Sequence, residues 1–315
     1  MARWSIFAPY SPLSSDDLLL RESYVLLQSY SVAVKQINRQ LRNASLAKAI
    51  RLRNLRAQIN LTIKKLNIVI AKNAKKVMYG YVHASQELAK KRLIKLGAVR
   101  QRGSFSQLNT RTVNVFADQM LFDLVTANES MLKTTSGYLR ATQQKVIREE
   151  TINKLLQQGT ITGAPRKAIS DELYTKIEES IGSGKYIKIN GRNYDPKKYA
   201  ELVTRTRMRE AATEGTINMS LEYGSDLIQI SVHEHDDGPG DNCPAYAGKI
   251  YSISGNDPDF PPLEERPPYH PRCKHVALPV VKEALQIRGS YEKLVTFSRG
   301  TNSVDSLKQY ARLGL

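Results

Sequence analysis

Between Val32 and Leu96 the chain carries no proline and one glycine, Gly80, and its apolar residues fall at helical spacing. Leu55, Ile59, Ile63, Leu66, Ile70, Ala74 and Val77 recur at steps of 4, 4, 3, 4, 4 and 3, one stripe of an amphipathic α-helix. Upstream, Ser14-Ser15-Asp16-Asp17 offers an N-cap and first-turn acids, so a helix is expected from there to about Tyr30. Residues 1–13, with Trp4, Phe7 and Tyr10, read as an extended arm. A polar break at 97–110 precedes a second long helical region, 111–158, whose apolar positions include Val113, Phe116, Leu124, Met131 and Leu139. Ser136-Gly137 is expected to interrupt it. Two long helices joined by a short break predict a hairpin.

The pattern changes after Gly159 to Gly163, the best domain boundary. A short helix is expected from Ser170 to Gly182, with Leu173, Ile177 and Ile181 inward. Tyr186 to Tyr194 alternates about Asn190-Gly191, the signature of a β-hairpin. Asp195-Pro196 starts a helix that should run to Tyr223 and stop at Gly224. A strand is expected over Leu227 to His233, followed by an acidic turn and a proline-laden loop. Lys282 to Ile287 and Val304 to Leu313 look helical.

Charge sharpens the reading of the first helices. The net charge is +17, and Lys35 to Arg102 alone holds 18 basic residues against one acid, Glu87, so the rest of the chain balances. Lys48, Arg51, Arg53, Arg56, Lys64, Lys65, Lys72, Lys75 and Lys76 lie mostly off the apolar stripe. A face that only keeps a helix in solution mixes both signs. This one is expected to bind phosphates or an acidic protein surface, and any double-stranded DNA contact would be sequence-independent and salt-sensitive. No apolar run is long enough to span a membrane and no signal peptide opens the chain, so an intracellular, soluble product with no membrane partner is expected.

Both cysteines and four of the five histidines fall between Asp226 and Val280. Cys243, His270, Cys273 and His275 supply thiolate and imidazole, the donors zinc prefers in a closed tetrahedral site. In an extended segment Cys273 and His275 point the same way. Asp241, His233 and His235 are placed to support the ligands from outside, Asp241 also as a ligand itself. Two other readings stand beside this one: a disulfide between the cysteines, or buried thiols with hydrogen-bonding histidines. An enzymatic alternative would use the metal to activate water, with His233, His235, Asp236 and Asp237 as base or further ligands in a hydrolase or nuclease. No phosphate loop, His-Glu-x-x-His or serine-nucleophile motif accompanies it. Arg205, Arg207 and Arg209 cannot share one helical face, and pairing with Glu201, Glu210 or Glu214 is their expected use, with Arg205 and Thr206 as candidates for supporting the loop.

Asp241-Asn242-Cys243-Pro244, Tyr246 to Gly255 and Pro267-Pro268-Tyr269-His270-Pro271-Arg272-Cys273-Lys274-His275 together resemble the C-terminal domain of tailed-phage minor head proteins: the Mu F-like and SPP1 head-morphogenesis families and the phage minor capsid protein 2 family. The likeness covers about 110 residues, Lys185 to roughly Val295. It implies a low-copy, non-enzymatic head component at the portal end of the virion, made in the host cytoplasm, whose partners are portal protein, major capsid or scaffold protein and DNA. A plain DNA-binding host protein is a further alternative. The expected fold is α+β: arm 1–13, basic helical domain 14–160, compact mixed domain 161–295 with a structural zinc site, and tail 296–315.

Overall fold

The computed structural model describes residues 12–42, 44, 49–100, 106–157, 186–232, 243–271, 273–286 and 291–300. The elements are α1 (Pro12–Arg42), α2 (Ala49–Lys95), α3 (Ser106–Gln157), β1 (Ile187–Ile189), β2 (Arg192–Tyr194), α4 (Pro196–Glu222), β3 (Leu227–Ile230), β4 (Ile250–Ser252), β5 (Ala277–Val280), α5 (Lys282–Gln286) and α6 (Tyr291–Arg299). The fold is α+β and mostly helical, with small antiparallel sheets in the C-terminal part. The expected arm up to residue 11, the 159–163 boundary, the 170–182 helix and the tail from 301 lie outside the described residues.

The two long helices of the expected hairpin form as α2 and α3, where Asn67 meets Asn128 and Lys75 meets Asp118, and α1 adds a third long helix. The first helix runs on past Tyr30 to Arg42, where the amide of Ala44 donates to the carbonyl of Leu41 at 3.0 Å in a turn, and helix resumes at Ala49. The expected interruption at Gly137 does not occur, because one glycine costs only about 1 kcal/mol and Met131, Thr135 and Leu139, spaced by four, carry the buried stripe past it. All seven predicted stripe residues of α2 are buried. α2 ends as its sequence demands: Gly97 at φ 86° lets its amide reach Ile94 and that of Ala98 reach Leu93, both at 3.0 Å.

The chain divides into two compact units. In the unit formed by 25–73 and 121–203, α1, α2 and α3 share an apolar core crossed by a polar chain that is buried at Tyr30 and Asn128 and half-buried at Asn67. Tyr30 donates its hydroxyl to Asn128 Oδ1 at 2.7 Å and to the carbonyl of Leu124 at 3.0 Å, and Asn128 Nδ2 donates to Asn67 Oδ1 at 2.6 Å. Burial pushes the Tyr30 hydroxyl above its ordinary pKa, so it stays a donor. The β1–β2 hairpin turns on Asn190 and Gly191, both at positive φ, as its sequence predicts. Ser130 of α3 fixes it by accepting from the amide of Lys188 and donating to its carbonyl.

In the unit formed by 1–24, 74–120 and 204–315, the second half of α2 packs on α4. Ala89 and Leu93 meet Met219, Tyr223 and Val281, and buried Arg92 donates Nε to the carbonyl of Pro279 at 2.9 Å. Gly215 sits at the crossing, close enough that a Cβ there would lie 3.0 Å from Val82 Cγ1. α4 begins at Asp195, whose Oδ1 accepts from the amide of Lys198, and ends at Gly224 with φ 69°, as the sequence indicates. β3 then forms the centre of a β4-β3-β5 sheet, antiparallel to both neighbours. Leu227 faces a cluster with Ile250, Phe260, Val280, Leu294 and Val295, while Ile228 and Ile230 face Ile217, Tyr251 and Ala277. α6, which the sequence pattern did not reveal, closes the outer edge of β4: Ser298 Oγ accepts from the amide of Ile250 at 3.0 Å.

Candidate metal centre and cationic helix face

Both outer strands run opposite to β3, so the starts of β4 and β5 lie beside its end. That geometry brings two distant stretches of sequence to one place. Cys243 opens a short 3-10 turn, Cys243–Ala245, whose first carbonyl accepts from the amides of Tyr246 and Ala247 at 3.0 and 3.1 Å. Cys273 and His275 arrive on the segment leading into β5. Ser231 anchors the end of that segment: its amide donates to the carbonyl of Val276 and its Oγ accepts from the amide of Val276, both at 3.0 Å.

The three side chains meet in the interior. Cys243, Cys273 and His275 are all buried, and their donor atoms lie within 4.8 Å of one another. Cys243 Sγ is 3.7 Å from Cys273 Sγ, and Cys273 Sγ is 3.6 Å from His275 Nδ1. A disulfide would need about 2.05 Å between the sulfurs. Tetrahedral zinc, with Zn–S of about 2.3 Å and Zn–N of about 2.05 Å, sets S···S near ~3.8 Å and S···N near ~3.6 Å. The donor set and its spacing both fit zinc, and both cysteines are free thiols.

The local electrostatics agree. Burial pushes the Cys273 thiol up, but hydrogen bonding to His275 and to the backbone of Tyr269 and His275 outweighs it and lowers the thiol to about 7. Tyr269 covers the site, its ring stacked on Tyr246 at 4.3 Å and 6.3 Å from the ring of His275. Burial raises the Tyr251 and Tyr269 hydroxyls above their ordinary range, so neither offers an anionic oxygen near neutral pH.

Of the four expected ligands, three converge and His270 does not join them. It is half-buried, its carbonyl accepts from the amide of Cys273 at 3.0 Å, and its Nδ1 lies 2.9 Å from the carbonyl of Pro271. The turn that delivers Cys273 is thus built from the backbone of His270, with the ring held beside it. Asp241, His233 and His235, and also Asp236 and Asp237, lie outside the described residues.

Arg209 is the contributor that sequence reasoning missed. The expected pairing holds for Arg207, which meets Glu210 at 2.9 Å, whereas Glu214 binds Arg266 instead. Arg209 is buried and donates NH1 to the carbonyl of Cys273, fixing a thiol-bearing residue from α4. An arginine within a run of charged residues on a helix gives no sign of this, because the contact depends on where the loop passes.

The cationic face of α2 is as the sequence predicts. Arg51, Arg53, Arg56, Lys64, Lys65, Lys72, Lys75 and Lys76 are exposed, and Lys48 lies outside the described residues. Lys75 pairs with Asp118 at 3.6 Å. Among the described residues no acid pairs with the other seven. No helix among the described residues is long and apolar enough to cross a membrane.

No curated protein and no solved structure matches the chain. Residues 31–264 match phage minor capsid protein 2, a span that reaches from α1 through the long helices to the loop beyond β4. The expected likeness began only at Lys185, so the long helices are part of the family's pattern too. The span includes Cys243 and ends before Cys273 and His275. Because the match takes in well over half of the 315 residues, the chain belongs to the phage minor capsid protein 2 family, a family of structural proteins of the phage head.

Proposed function

We propose that this chain is a low-copy head protein that acts in head morphogenesis at the portal end of the capsid. The cationic face of α2 meets an acidic surface there, on portal, capsid or scaffold protein or on packaged DNA, while a structural zinc ion held by Cys243, Cys273 and His275 stiffens the edge of the sheet where β3 ends and β4 and β5 begin. The observation that carries the reading is the exposed row of cations on α2 without acidic partners among the described residues, in a chain of a minor capsid family. In the virion such a row gains free energy only by meeting negative charge.

Zinc, when bound, would supply a cross-link. Its ligands come from the beginnings of two strands that are 30 residues apart at the cysteines, so the ion closes a long loop of chain. Quantitative mass spectrometry of purified DNA-filled particles, set against portal and major capsid protein, tests the placement. A handful of copies per particle is the expected result, and absence from particles and from assembly intermediates alike would refute it. Metal analysis of protein purified without chelator, with about one zinc per chain expected, tests the site separately.

A further inference from the structure

α2 carries a second stripe on the side away from the core. Ala57, Leu61, Lys64, Ile68 and Ala71 follow one another at steps of 4, 3, 4 and 3, and all five are exposed, Leu61 at 53% and Ile68 at 67%. At about 100° per residue these positions keep within one narrow sector of the helix surface. The core stripe of the same stretch, Leu55, Ile59, Ile63, Leu66 and Ile70, occupies the opposite sector. Isolated exposed leucines are ordinary on protein surfaces. A 4-3-4-3 succession of two large aliphatic residues, two alanines and one lysine is the pattern of a seam that takes another helix.

The flanks of the seam identify its partner. Lys65 and Lys72 run along one side and Arg53 begins the other, and none of them has an acidic partner among the described residues. Lys64 stands in the seam itself. A second copy of this chain would set these cations against their own equivalents, and like charges across a contact are repulsive. Duplex DNA would satisfy the lysines, yet a phosphate backbone gives Leu61 and Ile68 nothing apolar to bury against.

We propose that the segment 57–72 of α2 is a docking seam for one amphipathic helix of another head protein. That helix would carry apolar residues at alternating three- and four-residue steps, flanked by Asp or Glu. This inference rests on the reading of the chain as a head component and specifies which of its acidic partners occupies this part of the face. The alanines let the helices approach closely, Leu61 and Ile68 supply the buried contact, and the flanking cations set partner and register.

The test uses the full chain during phage assembly. Ile68→Gln changes no charge, so it separates an apolar seam from a simple polyanion contact. It is expected to lower the copies per particle about tenfold, the effect of losing one apolar anchor worth ~1.4 kcal/mol, with helix content and melting unchanged. Lys65→Glu with Lys72→Glu should lower incorporation at least as far. A photo-crosslinker placed at residue 68 should capture an acidic helical segment of another head protein, and one at Glu129 on α3 should not. Crosslinks to DNA, to the chain's own residues or to nothing would overturn the inference, as would full incorporation of Ile68→Gln. If the wild-type chain is itself absent from particles and assembly intermediates, the reading as a head component fails and the inference falls with it.

Discussion

Replacing Gly215 with alanine sets two effects of known size against each other. In a helix interior, alanine is favoured over glycine by about 1 kcal/mol. At the crossing of α2 and α4, however, the new Cβ would lie 3.0 Å from Val82 Cγ1 and 3.3 Å from both Cγ and Nε2 of Gln86. Comfortable carbon contacts are about 3.5–4.0 Å. Gln86 can rotate away, but Val82 is β-branched and has essentially one rotamer available in a helix. The helices must therefore separate, at an overpacking cost of about 1–3 kcal/mol. The expected net result is a loss of roughly 0–2 kcal/mol, with most of that range destabilising.

Gly80→Ala provides the contrast. Its Cβ would collide with a carboxylate oxygen of Glu22, the mobile end of a side chain that also pairs with exposed Arg21 at 2.8 Å. Glu22 can withdraw at little cost, since such surface pairs are worth under about 1 kcal/mol. Gly80→Ala should therefore stabilise slightly. Urea unfolding followed by circular dichroism should show the two midpoints moving in opposite directions, and Val82→Ala should rescue Gly215→Ala through a coupling above about 0.5 kcal/mol. Midpoints that move together, or no coupling to Val82, would refute the steric argument.

Cys273→Ser should abolish stoichiometric zinc and melt below the zinc-loaded wild-type protein while leaving the spectrum of the long helices in place, as checked by metal analysis and circular dichroism. With the Cys273 thiol lowered to about 7, zinc affinity measured by chelator competition should fall as pH drops through that value, because protons then compete for its sulfur. Arg209→Met should weaken zinc about 10- to 100-fold, with Arg209→Lys intermediate, as is typical when a group that orients a ligand is lost. The hydrogen bonds from Lys282 and Tyr291 hold the Asp259 carboxyl below its ordinary pKa. Its contribution is therefore present above the unfolded value of about 3.9 and is lost as pH falls through the lower folded value, so Asp259→Asn should flatten the acid limb of the stability profile.

What the sequence disclosed and what it hid follow from range. The core stripe of α2, the Asn190-Gly191 turn and the Asp195 and Gly224 ends of α4 were legible because each is decided within a few residues. The end of α1 at Arg42 was not, since no proline or glycine marks it. Cys243, Cys273 and His275 could be nominated by residue type, but His270 was an equal candidate until the turn it forms was seen. Arg209 lay beyond reach altogether, because its role is defined by a loop 64 residues further along.

The hydrogen-bonded chain from Tyr30 through Asn128 to Asn67 has a mechanical consequence. Apolar side chains can slide past one another at modest cost, so a bundle held by leucines alone would creep under sustained axial shear. A displacement of one helical turn, about 5.4 Å, would tear Tyr30 and Asn128 from their partners and strand these two buried groups in a dry interior, at about 1–3 kcal/mol each. The three helices are thereby latched, and they yield by breaking the latch at once rather than by gradual slip.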